Sequence, residues 1–300
     1  MFSLSTSWNS FRHDNGSDLV DEIKSMGFDT IELNFALTEM MVKDILAMQQ
    51  RGLIHVSSLH NICPLPEEID RDEASPDFYS LASSDGEERS LAIDAAKNTI
   101  RYARMFGARA VVLHAGRVQM KDKTRDLANS IGEAEKFKAI KEDMVRERDE
   151  KKDGYLDNVI KSLMELSVFA KDMNVALGIE NRYYYREIPL MDEFSEIFKN
   201  FADGGLYYWH DVGHGEVFDR LGLVSHKEML DKFSSRLIGI HLHDIMGAID
   251  DHKVPGLGTF DFKMLKPYIK KDTIKVIEVH HPATANQILR GAEYLKKMLG

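Results

Sequence analysis

The sequence predicts a single-domain (β/α)8 barrel over residues 1–300, with long loops after its third and fourth strands. Three observations carry that prediction. Short β-rich runs recur along the chain, each is followed by a longer stretch with helical apolar spacing, and glycine closes several of those stretches. Short apolar runs suit strands buried on both faces, as in a parallel sheet. Eight such units with no second compositional class favour a closed barrel. An open doubly wound sheet is the rival. It would carry a glycine-rich phosphate loop after its first strand, where this chain has Ser7-Trp8-Asn9-Ser10.

Taken in order, the expected strands fall at residues 2–7, 30–33, 55–59, 110–114, 175–179, 206–209, 237–241 and 275–279. Amphipathic stretches at 17–26, 38–51, 87–106, 192–201 and 283–299 supply helices between and after them. Gly27, Gly52 and Gly107 stand where a left-handed helix cap is expected. The connection 64–86 is rich in Asp, Glu, Ser and Pro. The connection 117–154 carries dense mixed charge around 131–152. Both follow strand ends, so both rise on the catalytic face of a barrel. The charged run reads as a solvated helix face. A lid, or the dimer arm of a homo-oligomer, is the sharper alternative.

Composition narrows the function. A hydrophobic content of 43% provides a sizeable core, and 29% charged residues solvate the surface. The net charge of −10 disfavours a broad basic face for nucleic acid, although a local basic channel stays open. An acidic mouth attracts divalent cations. The lone Cys63 allows no internal disulfide, which fits a reducing compartment. The first ten residues lack the pattern of a signal peptide, and no apolar stretch could span a bilayer, so a cytoplasmic protein without a membrane partner is expected.

The chemistry gathers at the strand ends, whose side chains share one mouth in a barrel. These ends present Glu32, His60, His114, Glu180, Asp211 and His214, His241 and His243, and Glu278. A single histidine there carries little weight. An acid following an apolar strand carries more, because a buried carboxylate must be paired, protonated or bound to metal. Glu180, Asp211 and Glu278 all have that setting. Only Arg182 is close enough in sequence to serve a rival ion-pair network. Carboxylates with imidazoles suit zinc, manganese, cobalt or iron better than calcium.

These residues resemble the xylose isomerase-like barrels, which include sugar and sugar-phosphate isomerases and epimerases and the endonuclease IV enzymes. The resemblance runs from the first strand to Glu278. In the isomerase and epimerase branch it implies one metal on Glu180, Asp211, His241 and Glu278. It also implies catalysis by Glu180 and Glu278 with His214, and a small polyhydroxylated carbonyl substrate touched by His60, His114, Arg182, Trp8 and His243. The endonuclease IV branch implies up to three ions, adding His60, His114, His214, Asp250 and His252, the last two ahead of Gly256-Leu257-Gly258. Three features side with the isomerases: Glu180-Asn181 in place of Glu-Thr, Asp211-Val212-Gly213-His214 in place of Asp-Thr-Cys-His, and Pro255-Gly256-Leu257-Gly258-Thr259-Phe260-Asp261-Phe262. His243 departs from the isomerase-like His-x-Lys-Asp pattern. That weighs against a phosphorylated substrate unless Lys253 or Arg182 supplies the cation. A barrel that binds metal and ligand without turnover is the third reading.

The remaining residues carry less. Tyr183, Tyr184 and Tyr185 can stack on a ring or pack into the barrel top. Trp8 can wall the pocket or cap the core. His280 and His281 read as loop histidines, and Cys63 ranks below His60 as a ligand.

Overall fold

In a computed structural model, residues 1–202 and 204–300 are described. Eight parallel strands close into a barrel: β1 (Ser3–Ser5), β2 (Thr30–Leu33), β3 (His55–His60), β4 (Ala110–Leu113), β5 (Ala176–Glu180), β6 (Leu206–Asp211), β7 (Leu237–Leu242) and, after a hairpin of β8 (Asp244–Met246) and β9 (Asp250–Lys253), β10 (Ile274–Ile277). The predicted strands thus sit where expected. The first is shorter than read, because the Ser5 hydroxyl accepts from the Ser7 amide and starts a 3-10 turn over Thr6–Trp8. The ring closes through Leu4 opposite Ile277 and Ile31.

Helices α1 (Gly16–Ser25), α2 (Glu39–Gln50) and α3 (Gly86–Phe106) follow the first three strands. Gly27, Gly52 and Gly107 take positive φ of 87°, 71° and 63°, as their cap positions require. The fourth connection differs from expectation. After the short α4 (Thr124–Asn129), α5 (Ala134–Asp172) runs unbroken for 39 residues, straight through Gly154. It continues because its apolar seam does: Leu156, Val159, Leu163 and Leu166 are buried beyond the glycine. Its charged half is not purely solvated either. Met144 and Arg148 are buried, and Arg148 grips Glu193 on the next helix through two bonds of 2.5 and 2.8 Å. The chain is completed by α6 (Met191–Asn200), α7 (Val212–Arg220), α8 (His226–Phe233) and α9 (Ala285–Leu299). No described helix is long and apolar enough to cross a membrane.

Strand alternation layers the barrel interior. The lower layer is a dry plug of Ala110, Val112, Trp209, Ile274 and Val276. Trp209 fits only because Gly239 and Gly178 face it: a methyl on Gly239 would sit 2.1 Å from the indole. Two residues further along the same strands come His114, Glu180, Asp211, His241 and Glu278. The apolar floor therefore sets the height of the polar mouth.

Candidate metal centre

Glu180, Asp211, His241 and Glu278 converge, each offering a ligand atom within 4.8 Å of the others, and all are buried. His241 lies at their centre. Its Nδ1 faces Glu180 Oε1 at 2.6 Å, Glu278 Oε2 at 2.9 Å and Asp211 Oδ2 at 3.6 Å, while its Nε2 meets Glu32 Oε1 at 2.9 Å. One N–H cannot serve three carboxylates. The set carries more negative charge than one imidazolium neutralises, so its donor chemistry fits a divalent cation.

Three further sets adjoin it: His60, His114 and Glu180, with Glu180 shared; His214, Asp251 and His252; and Asp211, His243, His252 and Glu278. Within the second of these, Asp251 Oδ2 is buried 3.1 Å from His252 Nδ1 without a well-directed hydrogen bond. His243 falls in the last of these sets and is not on the cleft lining as a substrate contact. It is fully buried, binds both Asp211 oxygens through Nε2 at 3.0 and 2.8 Å, and stacks on His252 with ring centroids 4.1 Å apart. It orients Asp211.

The electrostatics follow from this crowding. Burial alone would raise Glu180, but the His241 charge and bonds from His114 and His241 hold it well below the usual carboxylate range. Burial likewise opposes a charge on His241, yet Glu278, Glu32 and Glu180 push it well above the ordinary imidazole value. His252 is pushed up to about 9 by Asp251 and Glu278 against its burial.

The other predicted residues fall as follows. Arg182 lines the cleft with its terminal nitrogens held by Asp77 at 2.8 Å, Glu187 at 3.0 Å and Glu180 at 3.3 Å, while its buried Nε has no partner. His214 turns Nδ1 to the Asn181 carbonyl at 2.9 Å. Trp8 is a correction: it caps the core, donating to the Ala283 carbonyl at 2.7 Å, and does not wall the cleft. Asp250 is the second. It pairs with Lys253 at 2.8 Å on the rim, while its neighbour Asp251 faces the histidines. Cys63 is buried beside Thr99 and joins none of the ligand sets among the described residues. Sequence reasoning missed Asp77, which reaches His114 Nδ1 at 3.1 Å from the long loop, and Asn181, whose side chain clamps the Asp211 backbone at both N–H and C=O. His280, read as a loop residue, stacks on His252 at 3.9 Å and lines the cleft.

A closed parallel barrel with buried acids and imidazoles at its mouth defines an α/β barrel with a candidate metal centre. The chain belongs to the xylose isomerase-like TIM barrel family, whose sequence profile matches residues 20–298. It is 31% identical over 127 residues to the uncharacterized protein MJ1614 of Methanocaldococcus jannaschii, covering 42% of this chain and 47% of that protein. The chain spans about half the length of the curated relatives it matches. Among solved structures it is similar to a D-tagatose 3-epimerase-like protein (TM-score 0.69, 19% identity, 99% of this chain and 96% of the other). It is also similar to the IOLI protein with a bound zinc atom (TM-score 0.67, 14% identity, 98% and 96%). At these identities the two structures establish the fold.

Proposed function

We propose that the chain is a metal-dependent isomerase or epimerase of a small sugar or related polyhydroxy carbonyl compound. The observation that carries this reading is the convergence of Glu180 and Glu278, from strands on two sides of the mouth, on one point at the floor of a cleft of about 570 Å³. That volume suits a small ligand. The epimerase-like name of one fold neighbour and the zinc atom of the other support the reading.

Glu180, Asp211, His241 and Glu278 would hold the ion. When bound, it supplies Lewis-acid stabilisation of the negative charge that develops on adjacent substrate oxygens as a carbon-bound proton leaves. One of the two glutamates removes that proton as a carboxylate, and a proton returns to the carbon from the side of the other. His114, braced by Asp77, bonds Glu180 Oε2 at 2.7 Å and fixes its orientation. His214 and Arg182 present N–H donors along the same wall, where they orient substrate hydroxyls. Arg182 cannot swing, because three carboxylates hold it.

A second reading has its own observation. The three adjoining donor sets match what a multinuclear phosphodiesterase of the endonuclease IV kind needs. The deciding experiment pairs metal analysis with two assays: solvent-deuterium exchange into a panel of ketoses, and nicking of duplex DNA carrying one abasic site. One ion per chain with exchange at a carbinol carbon, abolished in Glu180→Gln and Glu278→Gln, supports the isomerase. Three ions with metal-dependent nicking would replace it, and neither activity would leave a binding barrel.

A further inference from the structure

Six acids line the cleft, and the four besides Glu180 and Glu278 are each matched locally. Asp77 and Glu187 hold Arg182, Asp250 holds Lys253, and Asp251 meets His252. The two cations that sequence reasoning offered for an anionic substrate, Arg182 and Lys253, are therefore spent. A third one is not. Arg125, on α4 above the fourth strand, lines the cleft and is bonded only to a neutral acceptor, the Tyr184 hydroxyl, at 3.2 Å. Its guanidinium sits 5.9 Å from the Tyr184 ring centre, and Arg186 sits 6.0 Å from the same ring. Arg186 Nε is buried without a hydrogen-bond partner. Among the described residues, neither of these two arginines has a carboxylate within 4.0 Å. In a chain of net charge −10, two guanidinia without a carboxylate partner against one tyrosine ring concentrate positive charge there.

Their position relative to the metal centre is set by a row of rings. His214 meets Tyr183 at 5.8 Å, Tyr183 meets Tyr184 at 4.6 Å, and Arg125 follows. The Tyr183 hydroxyl is pinned to the Ile249 carbonyl at 2.7 Å, so the row is fixed as one wall of the cleft. We infer that the cleft rim formed by Arg125 and Tyr184, with Arg186 against the same tyrosine ring, is an anion subsite, and that the substrate carries an anionic group, phosphate or carboxylate, at the end away from its reacting carbon. Guanidinium forks bind such oxygens in pairs, and the Tyr184 hydroxyl adds a donor. The rim also offsets the repulsion that the acidic mouth exerts on an anion. This deepens the isomerase reading and rests on it for the identity of the substrate, not for the site.

The test titrates inorganic phosphate, and acetate as the carboxylate probe, into metal-loaded wild type, Arg125→Gln and Glu180→Gln by calorimetry. Arg125 is exposed, so its variant keeps the fold. Phosphate binding weakened at least tenfold in Arg125→Gln but kept in Glu180→Gln supports the subsite. Preference for phosphate or for acetate identifies the group. No phosphate binding, or binding unchanged in Arg125→Gln, overturns it. Solvent-deuterium exchange on matched neutral, phosphorylated and carboxylated sugars separates the two claims. Loss of phosphate binding in Arg125→Gln with no sugar exchanged leaves the subsite and removes the isomerase. Exchange that ignores the anionic group does the reverse.

Discussion

Gly213→Ala tests how the helix after β6 is fitted to the metal centre. A methyl at this position would lie 2.1 Å from His243 Cε1, 2.7 Å from Nδ1 and 3.0 Å from Asp251 Cβ. Carbon atoms in contact keep about 3.5–4.0 Å, so the ring must retreat by more than an ångström or α7 must lift. The ring has nowhere to go: it is fully buried, bonded to Asp211 on one nitrogen and to the His252 amide on the other at 2.9 Å. Overpacking costs about 1–3 kcal/mol, and leaving a buried polar group unpaired costs about 1–3 kcal/mol more. At roughly 2–4 °C per kcal/mol, Tm should fall by roughly 4–24 °C. Asp211 loses its orienting partner, so metal affinity should fall about 10–100-fold. The assays are thermal unfolding and competition for zinc or manganese against a chromophoric chelator. Gly154→Ala is the matched control. Its methyl would meet nothing within 4 Å in mid-helix, so it should stabilise by about 0.4–1 kcal/mol. A Gly213→Ala protein with unchanged Tm and unchanged metal affinity would refute the packing argument.

Three other outcomes follow from the same structure. Chelator-treated protein should stay folded but lose heat resistance, since metal binds the native state and the barrel core survives without it; circular dichroism that collapses on chelation would make the metal structural. Arg148→Met should cost about 3–5 kcal/mol in urea unfolding by stranding the Glu193 carboxylate, and Arg148→Met with Glu193→Gln should recover part of that; equal loss in both would deny the pairing. At Glu22, burial raises the carboxyl, but bonds from Arg12, His13 and Asn9 bring it down to about 2 from 4.5. A depressed carboxylate stabilises above its unfolded value and loses that contribution as pH falls through the folded one. Glu22→Gln should therefore lose on the order of 1 kcal/mol or less at neutral pH, discounted for exposure. The gap should close between pH 4.5 and about 2; a gap independent of pH would mean that packing, not charge, carries it.

The sequence by itself determined the eight strands, the glycine caps and the four side chains that converge at the mouth. The reason is periodicity. A strand alternates sides every residue, so an acid two positions beyond an inward apolar residue must also point inward, as Glu180 does after Gly178 and Glu278 after Val276. Loops obey no such rule, and there only tertiary structure decided. The endonuclease IV resemblance offers Asp250 and His252 as a pair on one face. His252 instead takes φ of +53°, and the β8–β9 hairpin slips register between Asp244 and Met246, so Asp251 turns inward in place of Asp250. Asp77 and Arg125 reach the cleft from connections whose course no local pattern encodes. Their place is set by what anchors each loop: for Asp77, the Arg182 guanidinium that it holds; for Arg125, the neighbouring Thr124 hydroxyl bonded to the Tyr185 amide at 2.9 Å.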